Sequence, residues 1–139
     1  IMARPYLGGS SAGVKSVSSS VSLAKSDSGK KILLSGAAAN VVTLPAPEKG
    51  MEFKIILTAT GNAPTVVSNA SANIMIGTVI SATNDAAQAI QSDADADTIT
   101  FVNGGAPGDY CDLVSDGTSW YVFGFSGVDS KITITKESA

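Results

Sequence analysis

The sequence predicts an all-β protein, a small β-sandwich or partly closed, jelly-roll-like β-barrel with an extended N-terminal arm. Three observations carry this reading. Apolar and polar residues alternate with period two over many short runs from Lys30 onward. Those runs are separated by Gly, Pro, Asn and Asp, the residues of tight turns. The chain has 139 residues, the length of one domain with a single buried core. The division expected is an arm over residues 1–28 and one β domain over residues 29–139.

The first 28 residues open on Arg4-Pro5-Tyr6-Leu7 and run into Gly/Ser-rich sequence with few groups able to bury apolar area and offset the entropy of ordering. The reading is an extended arm: either a disordered leader, or a segment ordered by a neighbouring subunit with Tyr6 and Leu7 as its plug.

Strands follow at KILLSG (31–36), NVVTLP (40–45) and MEFKIILT (51–58). In the last of these Met51, Phe53, Ile55 and Leu57 share one face, and Glu52, Lys54 and Thr58 take the other. Pro45 and Pro47 end the second strand, because each lacks a ladder donor, and Glu48-Lys49-Gly50 turns the chain. Further strands are expected at TVVS (65–68), NIMIGTVI (73–80), TITFV (98–102), YCDLVS (110–115), SWYVFGF (119–125) and KITITK (131–136). NDAAQAIQS (84–92) has the composition of a short helix with Asn84 or Asp85 as N-cap; a loop or an irregular strand is the alternative. No repeat of 20 to 50 residues is visible, so a solenoid is not indicated.

Five of the chain's eight aromatic residues crowd into Asp109–Gly127 around one Asp-Gly pair. Asp116-Gly117 suits the centre of a two-residue hairpin, which pairs Ser115 with Thr118, Leu113 with Trp120 and Cys111 with Val122. Cys111, Leu113, Trp120 and Val122 then share one face; Tyr110, Asp112, Val114, Tyr121 and Phe123 share the other. Both faces are bulky and apolar, and a small sandwich supplies only one core. Either face could fill a core of this size; the favoured assignment puts Leu113, Trp120 and Val122 in the core and Tyr121, Phe123 and Phe125 on a contact surface between subunits.

Composition narrows the chemistry. The chain has no histidine, which removes the usual general base, the Ser-His-Asp and Cys-His arrangements and histidine metal ligands. No enzyme, cofactor or metal is expected. Asp93, Asp95 and Asp97 alternate like the start of a calcium loop, but Thr98 stands where its glycine belongs and Gly104 where its glutamate belongs. A solvated acidic loop is the simpler reading. Gly104-Gly105-Ala106-Pro107-Gly108 lacks the lysine of a phosphate loop and leads into a strand, so it reads as a turn. Cys111 has no partner for a disulfide and reads as a buried small hydrophobe.

Charged residues make up 15% of the chain against about 25% in an average domain, and the net charge is −3, so the surface repels neighbours weakly and suits burial against other chains. With Arg4 as the sole arginine and the lysines scattered, nucleic acid is not an expected partner. No apolar run approaches the ~18 residues of a membrane helix, so no membrane partner is expected and the protein reads as soluble and made in the cytoplasm.

Residues from about Gly29 to Gly127 carry a pattern of Leu44-Pro45, then Gly50 and a strand, a central TVVSNASANIMIG, then Gly108-Asp109 leading into a hairpin that reaches Trp120-Tyr121. This resembles a recurrent β-domain of tailed-bacteriophage virions, found in capsid decoration (cement) proteins and in tail-fibre and baseplate proteins. A chain of this length with an arm is most like a decoration protein. The resemblance implies a trimer on the outer capsid surface of the virion, bound to the major capsid protein and stabilising the head, with Arg4, Pro5, Tyr6 and Leu7 as a capsid-gripping arm. The alternatives are a tail-fibre or baseplate component, and a carbohydrate-binding module using Trp120, Tyr121 and the Asp-rich loop.

Overall fold

Alternation becomes strand at each of the nine expected places. A computed structural model describes residues 13–82 and 87–137. Arg4, Pro5, Tyr6 and Leu7 lie outside the described residues, as do Asn84 and Asp85. The strands are β1 (Val14–Val17), β2 (Val21–Ser22), β3 (Lys31–Ser35), β4 (Val41–Thr43), β5 (Glu52–Ala59) and β6 (Thr65–Val67), then β7 (Met75–Ala82), β8 (Ala87–Gln91), β9 (Thr98–Phe101), β10 (Tyr110–Ser115), β11 (Trp120–Ser126) and β12 (Ile132–Thr135). Strands hold 50% of the chain and helix 4%, so the protein is all-β.

Two separate sheets form, which makes the molecule a sandwich rather than a closed barrel. One has seven strands in the order β1-β3-β5-β10-β11-β7-β8, the other five in the order β12-β9-β6-β4-β2. Between them lie Ile32, Leu34, Phe53, Ile55, Leu57, Cys111, Leu113, Trp120 and Val122 from the larger sheet, facing Val42, Val66, Ile99, Phe101, Ile132 and Ile134 from the smaller. Phe53 and Trp120 pack with ring centroids 5.8 Å apart. The period-two reading of β5 holds: Met51, Phe53, Ile55 and Leu57 are all buried.

The first six strands cross between the sheets at every connection, so β1, β3 and β5 run parallel in one sheet and β2, β4 and β6 run parallel in the other. This half of the molecule is wound as a short two-sided coil within the sandwich. The winding leaves no repeat because its turns differ in length: Val14 lies beside Lys31, but Lys31 lies beside Lys54. These parallel ladders also distinguish the sandwich from an antiparallel jelly roll.

Two expectations are corrected and one open choice is resolved. The proposed arm is folded from residue 13 onward: β1 pairs with β3, and Val17 and Leu23 join the core. Spaced apolar residues among serines are enough for an edge strand once a sheet is there to receive them. Of the readings open for residues 84–92, helix, loop or strand, the structure takes the strand over Ala87–Gln91, pairing with β7 from Thr78↔Gln91 to Ala82↔Ala87. Tertiary pairing overrides the helix propensity of its alanines and glutamines.

The hairpin register is shifted by two residues. Ser115 pairs with Trp120, Leu113 with Val122 and Cys111 with Gly124. The Asp116 carboxylate accepts hydrogen bonds from the Thr118 and Ser119 amides, both at 2.8 Å, which stabilises a four-residue loop in place of the two-residue turn. Within that loop only Gly117 takes positive φ, at 102°. A shift of two keeps every side chain on its expected face.

Candidate functional site

The outer faces of the two sheets have opposite character. That of the five-stranded sheet is lined by Ser22, Thr43, Thr65, Thr100, Thr133 and Thr135, set side by side by the strand register. Val41 and Val67 interrupt these rows, so the face is mainly hydroxyl with a minor apolar share.

The outer face of the seven-stranded sheet is built of three rows across the strands. Ile76, Tyr121 and Val114 form one, ending at Glu52. Ile80, Phe125, Tyr110, Ile56 and Leu33 form another. Between them runs a mixed row of Thr78, Phe123, Asp112, Lys54, Lys31 and Val14. Of the nine large hydrophobic residues exposed among the described ones, seven lie on this face, and Phe123 is the most exposed at 61%. An apolar area spanning several strands is uncommon on a monomer and marks an interaction surface.

Local packing holds the face flat and ordered. Tyr110 and Phe125 stack with centroids 6.4 Å apart and planes 25° from parallel. The Lys54 ammonium stands 4.3 Å from the centre of the Tyr110 ring and 3.8 Å from the Asp112 carboxylate, adding a cation–π contact to a long ion pair. Gly77 lets β7 and β11 approach: a Cβ there would fall 1.8 Å from the Val122 carbonyl oxygen. Where Lys31, Glu52, Lys54, Asp112, Val114 and Phe123 come together, the face dips into an open groove of about 370 Å³.

Tyr121, Phe123 and Phe125 therefore stand together on one exposed face, as their alternation predicts, and Leu113, Trp120 and Val122 are buried on the other. The expected surface was incomplete. It missed Ile76 and Ile80, whose signal was present in the apolar residues on both parities of Met75-Ile76-Gly77-Thr78-Val79-Ile80. Trp120 is wholly buried, so it is unable to stack on a sugar.

Among the described residues three carboxylates, those of Asp27, Asp109 and Asp97, are buried and tie loops together. Asp27 accepts hydrogen bonds from the Lys30 ammonium at 2.8 Å and the Ala24 amide at 2.9 Å, with the Lys15 ammonium 3.4 Å away. Burial works to raise its pKa, but these hydrogen bonds and the two lysine charges outweigh it and hold the carboxyl below its ordinary value. Asp109 accepts from the Ala106 amide, the Ser126 hydroxyl and the Gly127 amide at 3.1, 3.1 and 2.9 Å, pinning the glycine-rich turn to the end of β11.

The acidic loop is only partly solvated. Asp93 and Asp95 are exposed, but Asp97 is buried and accepts from the Thr98 hydroxyl at 2.8 Å and the Glu137 amide at 2.9 Å. No cluster of three potential metal ligands occurs among the described residues. Burial pushes the Cys111 thiol pKa far up, with the Asp112 and Asp109 charges adding to it. Comparison with protein-family models, curated proteins and solved structures returns no match.

Proposed function

We propose that the protein is a structural component of a phage virion, a capsid decoration protein that binds the outer surface of the head as a trimer. The observation that supports this reading is the contrast between the two outer faces, one mainly of hydroxyls with Val41 and Val67 among them, the other bearing Tyr121, Phe123, Phe125, Ile76, Ile80 and Val114. A molecule with its apolar area gathered on one side gains by docking that side. Each large side chain fully buried there contributes about 1.5–3 kcal/mol before the cost of association. The face supplies the subunit contacts, and Arg4, Pro5, Tyr6 and Leu7 reach the major capsid protein. Many copies bound across capsomer junctions then stabilise the assembled shell by mass action. The absence of histidine from the chain and the engagement of the buried carboxylates in loop hydrogen bonds favour such a passive role over catalysis.

Mixing the purified protein with expanded heads that lack it, followed by sedimentation and imaging, tests the proposal. Saturable binding to the heads, lost in a Phe123→Ser/Phe125→Ser variant that still folds, is the expected result. Binding to tails instead moves the protein to the fibre or baseplate, and binding to neither removes the virion role.

A further inference from the structure

Among the described residues the seven-stranded sheet ends in an unpaired strand on each side, β1 on one and β8 on the other. These two edges stand in register. Through Lys31, Lys54, Asp112, Phe123 and Thr78, Val14 is level with Gln91. By the same ladders Lys15 is level with Ile90 and Ser16 with Ala89. No net slip accumulates across the sheet over these rows, and β8 runs antiparallel to β1.

The hydrogen-bonding phase of the two edges also matches. The Lys31 amide donates to the Gly13 carbonyl at 2.9 Å. In this parallel pair Gly13 and Lys15 therefore address β3, and the backbone groups of Val14 and Ser16 point out of the sheet. On the far side the Ser92 amide donates to the Gly77 carbonyl at 2.8 Å. Alternation along an antiparallel pair then gives Ser92 and Ile90 to β7 and turns the backbone groups of Gln91 and Ala89 outward.

We propose that β8 of one copy adds to β1 of the next, with Val14 and Ser16 forming hydrogen-bonded pairs with Gln91 and Ala89 of the neighbour. Height, direction and phase all meet the demands of an antiparallel ladder. The sequence of β8, AQAIQ, has no charge and no proline, and its pairing with β7 has no bulge, so it lacks the devices that keep an edge from pairing. Pairing of β1 with itself in the same phase sets Lys15 opposite Lys15, a like-charge contact that the proposed pairing replaces with Lys15 opposite Ile90. The contact is heterologous, and such contacts close into rings or run on as filaments. Copies added at equal height introduce no slip along the strands, which favours closure. The inference rests on the trimer proposed above and names the strands that join its subunits. The apolar outer face is then continuous between copies, from Ile80 and Ala89 to Ser16 and Leu33 of the neighbour.

The test mixes two full-length variants, Ser16→Cys and Ala89→Cys, both at exposed positions, under diamide. Native Cys111 is wholly buried and stays out of the reaction. The expected result is a mixed disulfide dimer formed at least about tenfold faster than from Ser16→Cys with Val41→Cys on the other sheet, because pairing raises the effective concentration of the two thiols. The doubly substituted chain yields covalent species up to the trimer. Equal rates for the two mixtures overturn the pairing. Ala89→Cys alone dimerising as fast as the mixture also overturns it, in favour of a two-fold β8 contact. Sedimentation of the unsubstituted chain separates this inference from the reading beneath it. A trimer without the cross-link overturns the pairing and leaves the trimer standing. A monomer overturns the pairing, and head binding then decides the virion role. A covalent ladder that continues past three supports the pairing and overturns the trimer. As a readout without cysteines, Ala89→Pro removes an amide that points away from β7, so it keeps the circular dichroism of the fold and loses the association. A folded Ala89→Pro chain that still associates overturns the pairing.

Discussion

Trp120 and Phe123 stand three residues apart on β11 and point to opposite sides of the sheet, the first fully buried against Phe53 and the second the most exposed large hydrophobe described. Their substitutions separate stability from association. Trp120→Ala removes a core ring and costs about 3–5 kcal/mol, whereas Phe123→Ser changes stability by less than about 1 kcal/mol. Urea unfolding followed by circular dichroism measures both. A large loss for Phe123→Ser shows that the outer face belongs to the core of the isolated chain.

Asp27 sets an acid limit on stability. Its folded pKa lies below its unfolded one, so its contribution is complete above the unfolded value near 3.9 and is lost as pH falls through the folded value. Unfolding midpoints should decline below about pH 4. In Asp27→Asn that part of the decline is absent, and the variant is less stable at neutral pH by about 1–3 kcal/mol, the range for hydrogen bonds to a charged group.

Asp109 holds a second loop in place. Asp109→Ala leaves the Ala106 and Gly127 amides without their acceptor, while the Ser126 hydroxyl keeps the Val128 carbonyl at 2.7 Å. The cost is about 1–3 kcal/mol, because two part-buried amides lose a charged acceptor. Thermal unfolding measures it, and amide exchange at Ala106 and Gly127 should accelerate locally.

Gly77→Ala forces a methyl group into the Val122 carbonyl and drives β7 from β11. Destabilisation of about 1–3 kcal/mol or more follows, with weaker exchange protection along both strands. A neutral result shows that the parallel pair has room to part.

Cys111 should ignore a thiol reagent such as Ellman's at pH 8 in the native protein and react fully in denaturant. Rapid native labelling means that β10 opens on the timescale of the assay.

Where burial depends on alternation within a strand, the two faces were legible in the sequence. MEFKIILT names its buried face residue by residue; YCDLVS separates two apolar faces without saying which is the core, and Asp-Gly located the hairpin but not its register. Winding was not legible, because strand partners such as Lys31 and Lys54 are chosen by where unequal loops return the chain, and no local pattern encodes that. The loop carboxylates were hidden for a related reason. Asp27, Asp97 and Asp109 look like solvated turn residues, and only their distant partners make burial favourable. The outer face was half visible: the aromatic residues of β11 announced it, but Ile76 and Ile80 join it through a parallel pairing that the sequence does not display.

The order of strands in the larger sheet carries a consequence for synthesis. β10 and β11 are inserted between β5 and β7, so its centre is filled by a hairpin that leaves the ribosome after both neighbours. A nascent chain stopped before Tyr110 has two open sheet edges, lacks Trp120 at its heart and carries none of the aromatic residues of β11. A product truncated there therefore has neither a continuous larger sheet nor the aromatic part of its outer face.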